Sequence, residues 1–166
     1  MDGQLLSPVE DALSGDAWAG SELEALDSAA RAALAGLAEV IEFAPGSEIL
    51  RETRLTPFLG LVDAGRVALR VPVPGRGPHT VVTLEPGDLI GWSAVVPPYR
   101  ATADAIALAP TRIRAFEAEA LRGLLATDPA IAGQLYALVL RCVSERLTTS
   151  WQQLLDLFGM RGVGPW

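Results

Sequence analysis

Residues 80–94 run Thr80-Val81-Val82-Thr83-Leu84-Glu85-Pro86-Gly87-Asp88-Leu89-Ile90-Gly91-Trp92-Ser93-Ala94. Thr80 to Leu84 is a short β-branched run, and Glu85-Pro86-Gly87-Asp88 closes it. Proline presets φ and glycine tolerates positive φ, so this tetrad turns the chain sharply. Leu89-Ile90 opens a second apolar segment, and Gly91 interrupts it at once. The period here is that of strand and turn, not of helix.

The same rhythm extends in both directions. Upstream, Ile41-Glu42-Phe43 meets the turn Ala44-Pro45-Gly46, and Glu48-Ile49-Leu50-Arg51 follows. Phe58 to Val62 is closed by Asp63-Ala64-Gly65, and Arg66 to Val71 alternates inward and outward. Pro72 to Pro78 reads as a turn with three prolines. Downstream, Thr102–Leu108 and Thr111–Phe116 complete the set. Many short strands, with turn signals about every 8–12 residues, predict a sandwich or barrel over residues 40–116.

Helical signals flank this region. Ser21 followed by Glu24 has the pattern of a capping box. Leu23, Leu26, Ala30, Ala33, Leu34 and Leu37 then form one apolar stripe, predicting a helix from Ser21 to near Ala38. Residues 1–20 are weakly periodic and read as an arm, in which Leu5, Leu6, Val9 and Leu13 could form an amphipathic turn or two. Ala118 to Leu125 predicts a short helix. Thr127-Asp128-Pro129, a cap residue before a proline, predicts the start of a long one ending near Phe158. At ~1.5 Å per residue it spans on the order of 45 Å. Its apolar residues fall into two stripes: Ile131, Leu135, Leu138 and Cys142; and Val139, Val143, Leu147, Leu154 and Phe158, beside Trp151 and Leu155. One stripe can cover the barrel. The second needs another surface, which a two-fold copy of the chain would supply through Leu147, Trp151, Leu154 and Phe158. A kink near Thr148-Thr149-Ser150, keeping the chain monomeric, is the other reading.

The expected organisation is therefore an arm (1–20), a barrel with its flanking helices (21–126), a long helix (127–159) and a tail (160–166). The fold class is α+β: an antiparallel β-roll, a double-stranded jelly-roll-like barrel, between an N-terminal helix and a long C-terminal helix. A chain of 166 residues suits one such domain.

Composition narrows the function. A net charge of −7 disfavours contact with nucleic-acid phosphates. No apolar run approaches the roughly 20 residues of a membrane span. Met1-Asp2-Gly3-Gln4 lacks the basic start of a signal peptide, so a cytoplasmic protein is expected. All 13 basic residues are Arg, which carries no functional reading. One Cys (Cys142) and one His (His79) make a metal site improbable and supply no nucleophile–base set. Glu117 and Glu119 lie at a helix start, where acidic residues stabilise the dipole. No enzyme is expected, and no metal or cofactor.

The order helix, β-roll, short helix, long helix resembles the cyclic-nucleotide-binding domain of the Crp/Fnr superfamily. Phe43-Ala44-Pro45-Gly46-Ser47-Glu48-Ile49-Leu50-Arg51-Glu52 resembles its opening hairpin. Leu61-Val62-Asp63-Ala64-Gly65-Arg66-Val67 resembles a strand turn of the family, and Leu84 to Gly91 the entry to its phosphate-binding cassette. The resemblance covers Ser21 to Phe158. It implies a regulatory domain whose ligand is cyclic AMP or cyclic GMP. It also implies backbone N–H groups at the cassette helix holding a cyclic phosphate. A Glu directly after the glycine would take the ribose hydroxyl, and an Arg beyond the short helix would pair with the phosphate. The helix-turn-helix that a transcription factor of this kind requires is not expected after Phe158.

On this resemblance the candidate ligand site is Ile90, Gly91, Trp92, Ser93, Ala94, Arg100, Ala101 and Thr102. The chain departs from the family at two of these positions. Trp92 stands where the Glu is expected, and indole has a donor but no acceptor. Either Arg100 is one residue displaced, Ala101 taking the arginine's place when counted from the following strand, or the cassette loop is shortened around Pro97-Pro98. Two readings follow. In one, Trp92 is core packing, Arg100 a surface cation, and the chain an accessory subunit without ligand. In the other, Trp92 stacks on a flat ligand, Ser93 and Ala94 supply N–H groups, and Arg100 or Thr102 contacts an anion. The chain would then be a sensor acting through a homodimer or a protein partner.

Overall fold

The computed structural model describes residues 4–6 and 18–157. Two sheets form the roll. One joins β1 (Gln4–Leu6), β2 (Ala38–Phe43), β9 (Thr111–Glu117), β4 (Phe58–Ala64) and β7 (Leu89–Ile90) in the order β1-β2-β9-β4-β7. The other joins β3 (Glu48–Leu50), β8 (Asp104–Ala107), β5 (Val67–Val73) and β6 (Gly77–Leu84) in the order β3-β8-β5-β6. Every pairing is antiparallel. Three α-helices pack outside: α1 (Ser28–Ala35), α2 (Ala118–Thr127) and α3 (Pro129–Leu157). The α+β roll with flanking helices is thus the fold of this chain.

Side-chain alternation divides the core into two layers. On β4, Phe58 and Val62 point into the roll, while Leu59 and Leu61 point to the helices. On β9, Ile113 and Ala115 face in and Phe116 faces out. Both faces of β4 are buried from Phe58 to Val62, so that stretch reads as a continuous apolar run. Gly60 is required within it, because a Cβ there would meet Ile113 Cγ2 at 2.7 Å. The outer layer is closed by Leu23, Leu34, Leu121, Leu135 and Cys142. Within it Arg114 of β9, itself buried, donates from Nη2 to Asp63 Oδ1 (3.0 Å) and lies 4.9 Å from the Trp18 ring centre. Burial pushes the Asp63 carboxyl up, against the pull of the Arg114 charge.

Several elements differ from the sequence reading. Ser21 does not open a long helix. A 3-10 turn spans Glu22–Ala25, the chain extends at Leu26, and α1 begins at Ser28 with the Asp27 carboxylate accepting from Ala30 N (2.8 Å). The Ser21 hydroxyl donates to Trp18 O, and Glu24 Oε2 accepts from Gly20 N (2.8 Å) rather than from Ser21. Leu5 and Leu6 belong to a strand paired with Ile41 and Val40, not to a helical turn. Val9 and Leu13 lie outside the described residues. The hairpin β5–β6 also runs through the prolines: Pro72 pairs with Pro78, and the reversal is confined to 74–76. The prolines are tolerated because β8 pairs with β5 only from Val67 to Arg70, so Pro72 has no ladder partner on that side.

Helix α3 starts where expected. The Asp128 carboxylate accepts from Ala130 N (3.0 Å) and Ile131 N (3.1 Å). It then runs without a break through Thr148, Thr149 and Ser150, whose hydroxyls donate to carbonyls four residues back. Ile131, Leu135, Leu138 and Cys142 are buried, and so is Val139, which the sequence reading had placed on the second stripe. Val143 is half-buried. The exposed stripe is Tyr136, Leu140, Leu147, Trp151 and Leu154, with Leu140 70% and Trp151 58% accessible. Phe158 lies outside the described residues.

Candidate functional site

The stretch 89–94 forms a compact cassette. Gly87 and Gly91 both take positive φ, +100° and +74°. At Gly91 the conformation is obligatory for two reasons: the φ itself, and a Cβ that would sit 2.4 Å from Phe58 O. Leu89 and Ile90 then pair with Leu61 and Gly60 of β4, and a single 3-10 turn carries Trp92, Ser93 and Ala94. Strand β7 is the edge of its sheet, and Leu89 presents its N–H and C=O outward. Two charged side chains from different elements satisfy them. Glu22 Oε2 accepts from Leu89 N (2.6 Å), and Arg146 Nη2 of α3 donates to Leu89 O.

A cavity of about 30 Å³ lies against the cassette, lined by Leu50, Leu69, Ile90, Gly91, Trp92, Ser93, Ala101, Thr102, Ala103 and Arg146. Six of the eight candidate residues are therefore brought together: Ile90, Gly91, Trp92, Ser93, Ala101 and Thr102. Ala94 is buried in the outer layer instead. Its N–H closes the turn on Gly91 O (2.9 Å), so it is not free for an anion, contrary to the sequence reading. Its carbonyl accepts from Arg122 Nη1 (2.9 Å) of α2. The Arg122 guanidinium also lies 4.7 Å from the Tyr99 ring centre, holding the loop that follows. The Ser93 hydroxyl is paired with Thr56 Oγ1 at 2.7 Å, both buried.

Arg100 is placed away from the cavity. It is exposed, and its Nη1 donates to Thr53 O (2.7 Å) while its backbone bridges to Leu55. Alternation carries its neighbour the other way, so Ala101 is the buried residue that lines the cavity. Thr102 is exposed at the cavity's rim. Trp92 is half-buried, packing on the outer layer and also lining the cavity.

Arg146 was not among the sequence-derived candidates. A signal for it existed. It lies four residues beyond Cys142 and so continues the buried stripe of α3, where a charge is out of place unless it has a target. It is the only charged residue lining the cavity among the described residues. The nearby thiol of Cys142 is pushed up to about 12 by burial, with the Arg146 charge opposing.

No group of three His, Cys, Asp or Glu able to hold a metal occurs among the described residues. No helix of the described residues is long and apolar enough to cross a membrane.

Comparison with known proteins agrees with this geometry. Residues 40–128 match the model of the cyclic nucleotide-binding domain family. The chain therefore belongs to that family. Among solved structures, it is similar to a protein of Geobacter metallireducens described as a cyclic nucleotide-binding protein. That pair is 27% identical with a TM-score of 0.68, covering 76% of this chain and 91% of the other. A cyclic nucleotide-binding domain from Methylobacillus flagellatus, 20% identical, superposes with a TM-score of 0.72 over 84% of this chain and 76% of the other. The catabolite activator protein of Thermus thermophilus is 26% identical with a TM-score of 0.63. There the match covers 83% of this chain but only 62% of that protein. No curated protein sequence matches the chain.

Proposed function

We propose that the chain is a non-catalytic regulatory domain with an altered cassette, in which α3 couples the cavity to a second copy of the chain. One observation carries this reading. The same helix places Arg146 in the cavity and, about a quarter-turn away, exposes Tyr136, Leu140, Leu147, Trp151 and Leu154. A ligand that moved Arg146 would move that surface with it, because the helix is continuous between them. Trp92 in place of a carboxylate, and Arg100 on the far side of the loop, support the reading of an altered cassette. Isothermal titration with cyclic AMP and cyclic GMP tests the sensor. Saturable binding of either supports it, and no heat at millimolar nucleotide rejects it.

The cavity volume favours a second reading. About 30 Å³ holds a water or two, whereas a ligand pocket has on the order of 300 Å³ or more. On that reading the chain is an accessory subunit without a ligand. Purification from the native source separates the two: a subunit comes out in fixed stoichiometry with its partner, a sensor does not.

A further inference from the structure

We propose that Arg146, carried by α3, is the anion-binding residue of this cavity and receives the phosphate of a nucleotide-type ligand. The proposal rests on the sensor reading above and names the group that would do the recognition.

Four observations lead to it. The cassette loop sends no guanidinium into the cavity, since Arg100 turns outward to Thr53 O. Arg146 is the only charged liner among the described residues, in a chain of net charge −7 that otherwise repels anions. No carboxylate lies within ion-pair distance of it among the described residues. Its guanidinium has five N–H donors in a fork, and the polar partner it holds is one backbone carbonyl, that of Leu89. A carbonyl is a neutral acceptor, and exchanging it for a phosphate oxygen replaces an ordinary hydrogen bond by a charge-assisted, bidentate one. Trp92 supplies the complementary surface, an indole lining the same cavity and able to stack on a planar base.

At about 30 Å³ the cavity, with Arg146 in its wall, is too small for a nucleotide as it stands. Ligand entry therefore requires Arg146 to leave Leu89 O, which frees the outer half of α3 from that contact. This half is also tied to the roll by Gln153, whose Nε2 donates to Val81 O at 3.1 Å in an exposed hydrogen bond. Leu147 to Asp156 are exposed apart from half-buried Ser150, so displacement uncovers little core.

The test compares cyclic AMP and cyclic GMP with adenosine, which has a base and ribose but no charge, by isothermal titration on the full chain. The wild type is expected to bind at least one cyclic nucleotide about tenfold or more tighter than adenosine, the size expected of a hydrogen bond to a charged group. Arg146→Gln should abolish that gap while leaving adenosine affinity within about twofold, and Arg146→Lys should retain part of it. Arg100→Gln should leave the gap intact. Arg146→Lys also keeps a donor for Leu89 O, so it answers the question should the glutamine variant fail to fold. A gap that survives Arg146→Gln, or is lost with Arg100→Gln, overturns this assignment alone. Equal loss of cyclic nucleotide and adenosine affinity makes Arg146 a purely structural contact and also overturns it. A wild type that binds none of the three overturns the sensor reading, and this assignment with it.

Discussion

Two adjacent residues set which side chain of the loop after the cassette reaches the cavity. Ala101 is buried and faces the cavity, while Arg100, one step earlier on an extended segment, faces solvent. Alternation makes these positions non-equivalent, so an arginine gains access to the cavity only by moving one residue along the chain. Trp92 is the second determinant, occupying with an indole the position that the family resemblance gives to a hydroxyl-accepting carboxylate. The double substitution Trp92→Glu with Ala101→Arg should therefore strengthen cyclic AMP binding, read as a lower dissociation constant than that of the wild type in the same titration. Before ligand is added, it should also cost stability. An arginine at a position only 6% accessible overfills a packed site, which typically costs about 1–3 kcal/mol. Cyclic AMP should recover that loss in a thermal melt, because it binds the folded state alone. A destabilised variant that cyclic AMP fails to rescue would show that the loop backbone, and not these two side chains, limits the affinity for the nucleotide.

At the scale of elements, the strands of the roll after β1 were largely legible because proline and glycine turns leave the chain little choice between them. Gly65, at φ +87° between β4 and β5, is one such boundary, and Gly91 is another. Helix starts were less legible. Ser21 and Glu24 have the capping-box pattern, but the Ser21 hydroxyl is spent on Trp18 O, and the break at Leu26 is set by packing distant in sequence. Asp27, which caps α1, also binds α3: its N–H donates to Gln134 Oε1 (2.9 Å) and its Oδ2 accepts from Gln134 Nε2 (2.8 Å). Sequence spacing cannot show a pair separated by 107 residues, nor Arg146 reaching Leu89 across 57. The Asp27–Gln134 pair suggests a direct measurement of helix docking. Cys142 sits on the buried stripe of α3, one turn beyond Leu138, and burial pushes its thiol up to about 12. At pH 8 the native thiolate fraction is then on the order of 10⁻⁴, so a thiol reagent such as dithionitrobenzoate reads transient opening of the helix. Gln134→Ala removes two hydrogen bonds from the docking and should raise the labelling rate about five- to thirtyfold. An unchanged rate would mean that the apolar contacts of Ile131, Leu135 and Leu138 alone hold the helix.

For the whole molecule, the exposed side of α3 has a spacing that suits a copy of itself. Tyr136, Leu140, Val143, Leu147, Trp151 and Leu154 recur at intervals of four, three, four, four and three residues. That alternation keeps one seam in line along a helix pair, as in a coiled coil, and a two-fold axis presents each seam to its own duplicate. The buried stripe of α3 cannot serve, being used against α1, α2 and the roll. Leu147 and Trp151 stand midway along the outer half of this seam, each about half accessible. Burying them in a dimer would contribute on the order of 2 kcal/mol per side chain, and each acts twice across the axis. Light scattering is therefore expected to give twice the chain mass of 17.5 kDa for the wild type. Leu147→Glu with Trp151→Glu should reduce it to the single-chain mass, with the thiol of Cys142 still protected because its side of the helix is untouched. A wild-type mass of 17.5 kDa, or a variant that stays at twice that value, rules out this face as the seam. If the seam holds and cyclic nucleotide shifts the monomer–dimer balance in the wild type but not in Arg146→Gln, then α3 carries the signal from the cavity to the second copy.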